Sequence, residues 1–69
     1  MKISLDQQIA EVKRELALRG NVYPKQVAAG KVRQDQADDH VARMQAVLKT
    51  LEWLQKHEQR ILDMLLEVT

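Results

Sequence analysis

One stretch without glycine or proline decides the architecture of this chain. It covers residues 34–66 and reads QDQADDHVARMQAVLKTLEWLQKHEQRILDMLL. Its apolar residues recur every three or four positions, which is the period of one face of an α-helix. Three aspartates crowd its first turns, where the helix dipole favours negative charge. The stretch therefore predicts one long helix of about 50 Å at 1.5 Å per residue.

A shorter amphipathic pattern precedes the long helix. Ser4 and Gln7 have the spacing of a capping box, in which each residue satisfies a backbone N–H of the other. An apolar stripe at helical spacing follows, made of Leu5, Ile9, Val12 and Leu16. Gly20 then suits the position just past a helix end. These signals predict a first helix over residues 4–19.

The connector between the two helices reads GNVYPKQVAAGKVR over residues 20–33. Tyr23 precedes a proline, and this position disfavours helical backbone. Pro24 suits the first position of a short helical turn and Gly30 the position just past its end. We therefore predict a helical turn over residues 24–29. The predicted fold is a single all-α domain, residues 1–69, built as a helical hairpin with its long helix over residues 34–66.

The predicted helices differ in length, about 24 Å against about 50 Å. The far half of the long helix then has no cover from its own chain, and it would expose a larger apolar patch than soluble monomers usually tolerate. A second copy is the simplest cover, so we predict a homodimer of the coiled-coil or four-helix-bundle type. The predicted oligomer interface comprises Leu54, Ile61, Leu62, Leu65 and Val68.

The net charge of +1 conceals an uneven distribution. Residues 13–33 hold six Lys or Arg and one acidic residue, whereas residues 34–69 hold four basic and seven acidic residues. The basic end is either a docking surface or an ordinary solvated surface. The two aromatic side chains are either packing residues or contact residues, since Tyr and Trp are enriched at interaction hot spots. The candidate partner-binding residues are Arg19, Tyr23, Lys25, Lys31 and Trp53.

The residue inventory argues against catalysis and metal binding. There is no cysteine, and the two histidines, His40 and His57, lie seventeen positions apart. The pair His57-Glu58 begins a metalloprotease motif, but Ile61 occupies the position of its second histidine. We predict no enzymatic activity, no cofactor and no metal site. Direct nucleic-acid binding is disfavoured because the acidic start of the long helix repels phosphate, although the basic connector keeps it as an alternative.

The chain offers no sign of a membrane or export role. Its first residues, MKISLDQQ, lack the apolar run of a signal peptide, and no apolar run exceeds three residues. We expect a cytoplasmic protein.

Two runs of sequence carry a resemblance to known proteins. They are VYPKQVAAGK over residues 22–31 and MQAVLKTL over residues 44–51. The pattern Tyr-Pro-x-x-Val-x-x-Gly, followed by Met-x-Ala-Val-Leu-x-Thr-Leu, resembles small proteins encoded in phages and prophages of proteobacteria. The chain departs from it at Arg33, where Ser or Thr is expected. The resemblance implies a protein that acts inside an infected bacterium. On this basis we expect a module that binds and modulates a host or phage protein; the alternatives are a nucleic-acid-binding regulator and a virion assembly helper.

Overall fold

A computed structural model describes the backbone of residues 2–68 and the side chains of residues 2–67. It contains two helices, α1 (Leu5–Ala28) and α2 (Gln34–Val68), joined by a five-residue connection. Near one end of the hairpin Gln55 donates a hydrogen bond to Asp6, and near the other Tyr23 bonds to His40, so the helices run antiparallel. The predicted all-α helical hairpin is confirmed.

Helix α1 starts where the sequence predicts it. The Ser4 Oγ accepts a hydrogen bond from the backbone N–H of Gln7 at 3.1 Å, and the Gln7 Oε1 accepts one from the N–H of Ser4 at 2.9 Å. These two bonds satisfy two of the N–H groups that a helix start leaves without helical partners. The capping box predicted from Ser4 and Gln7 is confirmed.

The prediction that the first helix ends at residue 19 is wrong, and so is the separate helical turn over residues 24–29. Helix α1 continues through Gly20 and Pro24 to Ala28. Proline lacks the N–H that would bond to the carbonyl four residues earlier, and its ring crowds that carbonyl. Here that carbonyl belongs to Gly20, whose backbone adapts most freely. The extra turns persist because they bury Tyr23 against α2, so tertiary packing outweighs local preference.

Gly20 gives a first test of this continuous helix. A Cβ added at Gly20 meets no atom within 4 Å. We expect Gly20→Ala to raise the free energy of unfolding by about 0.5–1 kcal/mol, because alanine loses less backbone entropy in a helix. Gly30→Ala is the matched control; Gly30 has a φ of +73°, so this change is expected to destabilise the protein. Urea denaturation followed by circular dichroism measures both. A helix that ended at residue 19 would give no gain for Gly20→Ala.

The end of α1 is a Schellman motif built on Gly30. The N–H of Gly30 donates to the carbonyl of Val27 at 3.0 Å, and the N–H of Lys31 donates to the carbonyl of Gln26 at 2.9 Å. Both bonds satisfy carbonyls at the helix end, and the left-handed backbone of Gly30 makes them possible. The predicted role of Gly30 as the residue just past a helix end is therefore confirmed.

Helix α2 begins at Gln34, as expected, and continues to Val68 rather than residue 66. The Asp35 carboxylate accepts a hydrogen bond from the N–H of Gln36 at 2.9 Å and lies 3.3 Å from the Arg33 guanidinium. Asp35 thus compensates for the poor capping ability of Arg33, since its charge lies in the first turn and favours the helix dipole.

The core lies along a single seam between the helices. Ile9, Tyr23 and Ala37 are buried, and Ala37 is only 2% exposed. The half-buried apolar residues of this seam are Leu5, Val12, Leu16, Val27, Val41, Met44, Leu48, Leu51 and Leu54. Because α1 has 24 residues, it is about 36 Å long and covers more of α2 than the sequence suggested. The uncovered part, residues 58–68, is called the distal segment below.

Candidate interaction surfaces

Tyr23 lies at the centre of a small polar cluster between the helices. Its side chain is 8% exposed, and its hydroxyl is hydrogen-bonded to His40 Nδ1 at 3.0 Å. The Arg19 guanidinium lies 5.4 Å from the centroid of the tyrosine ring, within cation–π range. Arg19 Nε also donates to the Glu15 carboxylate at 2.8 Å. The structure therefore brings together two predicted site residues, Arg19 and Tyr23, and makes Tyr23 a packing residue.

His40 is the member of this cluster that the sequence reading missed. From the sequence, His40 is weighed only as a metal ligand. It lies four and seven positions before Met44 and Val47 and so shares a helix face with them. His40 is itself exposed, and its Nδ1 meets the Tyr23 hydroxyl at 3.0 Å.

Two shallow grooves flank the seam on opposite sides. One, of about 280 Å³, is lined by Arg19, Tyr23, His40, Arg43 and Met44, and is called the tyrosine groove below. The other, of about 210 Å³, is lined mainly by Gly20, Pro24, Gln34, Ala37, Asp38 and Val41. The hydrogen-bonded pair of Tyr23 and His40 lies in the tyrosine groove.

The side of the hairpin that holds the tyrosine groove is largely apolar. On α1, Val22 lies one turn from the groove residue Arg19 and Leu18 one turn from Val22, and both are exposed. On α2, Val47 follows Met44 by three positions and is 50% exposed. Leu54, Ile61 and Leu65 extend the same side toward the end of α2 at heptad-like spacing. These residues, Leu18, Val22, Val47, Leu54, Ile61 and Leu65, are called the open face.

The opposite side of α2 is polar. Asp38 lines the other groove, and positions at seven-residue intervals from it share its side of the helix. Those positions hold Gln45, Glu52, Gln59 and Leu66, all exposed. This side of α2 is therefore polar as far as Gln59 and ends in the apolar Leu66.

The distal segment carries most of the exposed apolar surface. Leu65 is 60% exposed, and the other large exposed side chains of this segment are Ile61, Leu62, Met64 and Leu66. Of the predicted interface residues, Ile61, Leu62 and Leu65 are exposed, whereas Leu54 is half-buried. Val68 closes the helix, but its side chain lies outside the described residues. Exposed apolar surfaces of this kind are typical of interaction sites.

Trp53 is separate from the tyrosine cluster. It is 57% exposed, and its ring centroid lies 4.5 Å from that of His57 with an interplanar angle of 43°. Because the indole is exposed yet supported by a neighbouring ring, it presents a large rigid surface to a partner. Lys25 and Lys31 are also exposed, at the connector end of the hairpin, well away from Trp53 along α2.

The remaining charges form exposed pairs. Glu11 and Arg14 form a salt bridge on α1, and Arg43 lies 2.9 Å from Asp39 on α2. The hydrogen bond and charge of Arg14 lower the pKa of Glu11 below its ordinary value. That contribution to stability is present above the unfolded-state pKa and fades as pH falls through the lowered value. Exposed pairs of this kind contribute little to folding.

Across residues 2–68, no three His, Asp or Glu side chains converge closely enough to hold a metal ion. Over the same residues, neither helix has a segment long and apolar enough to cross a bilayer.

Comparison with known proteins identifies no relative of this chain. No protein family, no curated protein and no solved structure matches the chain significantly. The resemblance to phage-encoded proteins therefore stays a prediction from the sequence, and the function has to be argued from the surfaces described above.

Proposed function

We propose that this protein is a protein–protein interaction module that acts as a homo-oligomer and binds and modulates a host or phage protein. The observation that carries the proposal is the exposed apolar surface of α2, from Trp53 through the distal segment. Such a surface has one physical use in water, which is to be covered by another apolar surface.

The arrangement of that surface supports two separate contacts. The open face lies on the side of the tyrosine groove and suits self-association. Trp53 lies on the flank of α2, at the edge of the stripe that holds Leu54 and Ile61, and remains accessible beside it. An exposed tryptophan with a charged surround has the character of an interaction hot spot. The exposed Lys25 and Lys31 offer a second, basic contact at the connector end.

The resemblance to phage and prophage proteins suggests where the partner is found. On that resemblance we propose that the protein acts in the cytoplasm of an infected bacterium and modulates a protein that it binds there. The helix-in-groove mode fits the chain, because α2 presents an amphipathic surface along several turns.

Affinity purification from infected cells tests this function with three single variants. Trp53→Ala or Lys25→Glu is expected to reduce recovery of one specific protein, because each removes an exposed contact without touching the core. A tryptophan hot spot contributes about 2 kcal/mol or more, which corresponds to about a 30-fold loss of affinity. Gln59→Ala, an exposed change on the polar side of α2, is the matched control and should leave recovery unchanged.

Other results of that experiment would support one of the alternative functions. Recovery of nucleic acid that is released by salt would favour the regulator alternative. Recovery of virion components would favour the assembly helper. If neither Trp53→Ala nor Lys25→Glu changes what is recovered, both proposed contact surfaces are discarded.

A further inference from the structure

We infer that a second copy of the chain docks antiparallel on the open face, with its distal segment lying along the tyrosine groove. By two-fold symmetry the first copy's distal segment lies in the second copy's groove. The inference rests on the self-association in the proposed function, and it adds the surface, the orientation and the register of the contact.

Helix α2 carries a second heptad seam beside the one that α1 covers. Its positions alternate at spacings of four and three: His40, Met44, Val47, Leu51, Leu54, Glu58, Ile61 and Leu65. This seam is about 38 Å long at 1.5 Å per residue. It shares Met44, Leu51 and Leu54 with the covered seam, so α2 has the two adjacent contact stripes of a bundle helix with two neighbours.

The apolar surfaces determine the register. Since Tyr23 of α1 lies beside His40 of α2, Leu18 and Val22 lie next to the first turns of this seam. The second copy's distal segment covers all of these residues when His40 faces its Leu65. In that register Met44 faces Ile61, Val47 faces Glu58 and Leu51 faces Leu54 of the second copy. Each end of the dimer is then a three-helix layer of α1, α2 and the second copy's α2.

Loss of the apolar contact with Val22 disfavours the next register. A shift of one heptad would move the distal segment beside the middle of α1, where Glu11 and Glu15 are already paired with Arg14 and Arg19. In the inferred register Glu58 instead comes within one turn of Arg43, whose guanidinium is exposed while paired with Asp39.

The dimensions of the hairpin allow an extended contact. It measures 56 × 23 × 17 Å, so a seam of about 38 Å runs along about two-thirds of its length. A typical stable complex buries about 800 Å² per partner. Parallel pairing would instead bring the two Glu58 side chains together in the seam, where like charges repel.

Disulfide cross-linking tests the surface and the register together. The chain has no cysteine, so introduced thiols are unique. We expect the double variant Val47→Cys/Glu58→Cys to form a covalent dimer on mild oxidation. The two positions are eleven residues apart in one helix, about 16 Å, which is too far for an internal disulfide. Either single variant should stay uncross-linked, and so should Gln45→Cys/Gln59→Cys, the control pair on the polar side.

Each alternative result has a defined meaning. Cross-linking of Val47→Cys alone would show parallel pairing and overturn the inference. Cross-linking of the control pair would place the contact on the polar side and overturn it as well. Sedimentation of the unmodified protein at micromolar concentration gives a separate check: a dimer without cross-links in the double variant overturns this inference alone. A monomer overturns it together with self-association, while partner recovery through Trp53 stays a separate result.

Discussion

Replacing Tyr23 with alanine is expected to unfold most of the protein. Among residues 2–67, Tyr23 is the largest of the three buried side chains, and loss of a buried aromatic ring costs about 3–5 kcal/mol. A chain of this size has a total stability of only about 3–10 kcal/mol. The change also leaves His40 without its hydrogen-bond partner and Arg19 without its ring contact. Urea denaturation monitored by circular dichroism, at one fixed protein concentration, measures the loss.

Tyr23→Phe is the matched control for this prediction. It keeps the ring and removes only the hydroxyl that bonds to His40, so we expect a loss of about 1 kcal/mol. Equal losses for the two variants would mean that the hydrogen bond, rather than ring burial, holds α1 against α2. No loss for either variant would contradict the burial of Tyr23 and the position of the last turns of α1.

Replacing Pro24 with alanine is expected to stabilise the protein by about 2 kcal/mol. Proline in a helix interior is about 3 kcal/mol less favourable than alanine, because it leaves a carbonyl without a donor and crowds the preceding turn. Here the affected carbonyl is that of Gly20, inside α1. Part of the gain, up to about 1 kcal/mol, is offset because alanine makes the unfolded chain more flexible. A higher denaturation midpoint with an unchanged dependence on urea would report this gain.

Lys25→Ala is the neighbouring control, because Lys25 is exposed and already has a normal backbone N–H. We expect it to change stability by a few tenths of a kcal/mol at most. A loss of stability in Pro24→Ala would indicate that the helix is broken at Pro24 in solution, with the proline favouring the break. The two variants therefore test the largest difference between the predicted and the observed fold.

The parts of the fold that depend on interactions between nearby residues could be predicted from the sequence. The capping box of Ser4 and Gln7, the left-handed turn at Gly30 and the start of α2 at Gln34 are all where the residue pattern indicates. Each depends on hydrogen bonds within a few residues, so the physical cause is contained in the local sequence. The same holds for the apolar period of α2, which predicts its length to within two residues.

Only part of the candidate site could be predicted from the sequence. Exposure of Ile61, Leu62 and Leu65 follows from the length of α2, since any short partner helix leaves the end of a longer one uncovered. The pairing of Tyr23 with His40 does not follow, because seventeen residues separate them and only the antiparallel packing of the helices brings them together. Leu54 illustrates the same limit: it is half-buried because α1 is longer than the sequence indicated.

The all-helical class, the order of the hairpin, both helix starts and the Gly30 turn follow from the residue pattern, because they depend on short-range hydrogen bonds and on the period of apolar residues. The continuation of α1 through Gly20 and Pro24 to Ala28 depends instead on packing between the helices. At those two residues the local preference opposes a helix by a few kcal/mol. Burial of Tyr23 against α2 offsets that cost, and a contact with the other helix is not visible in the local pattern.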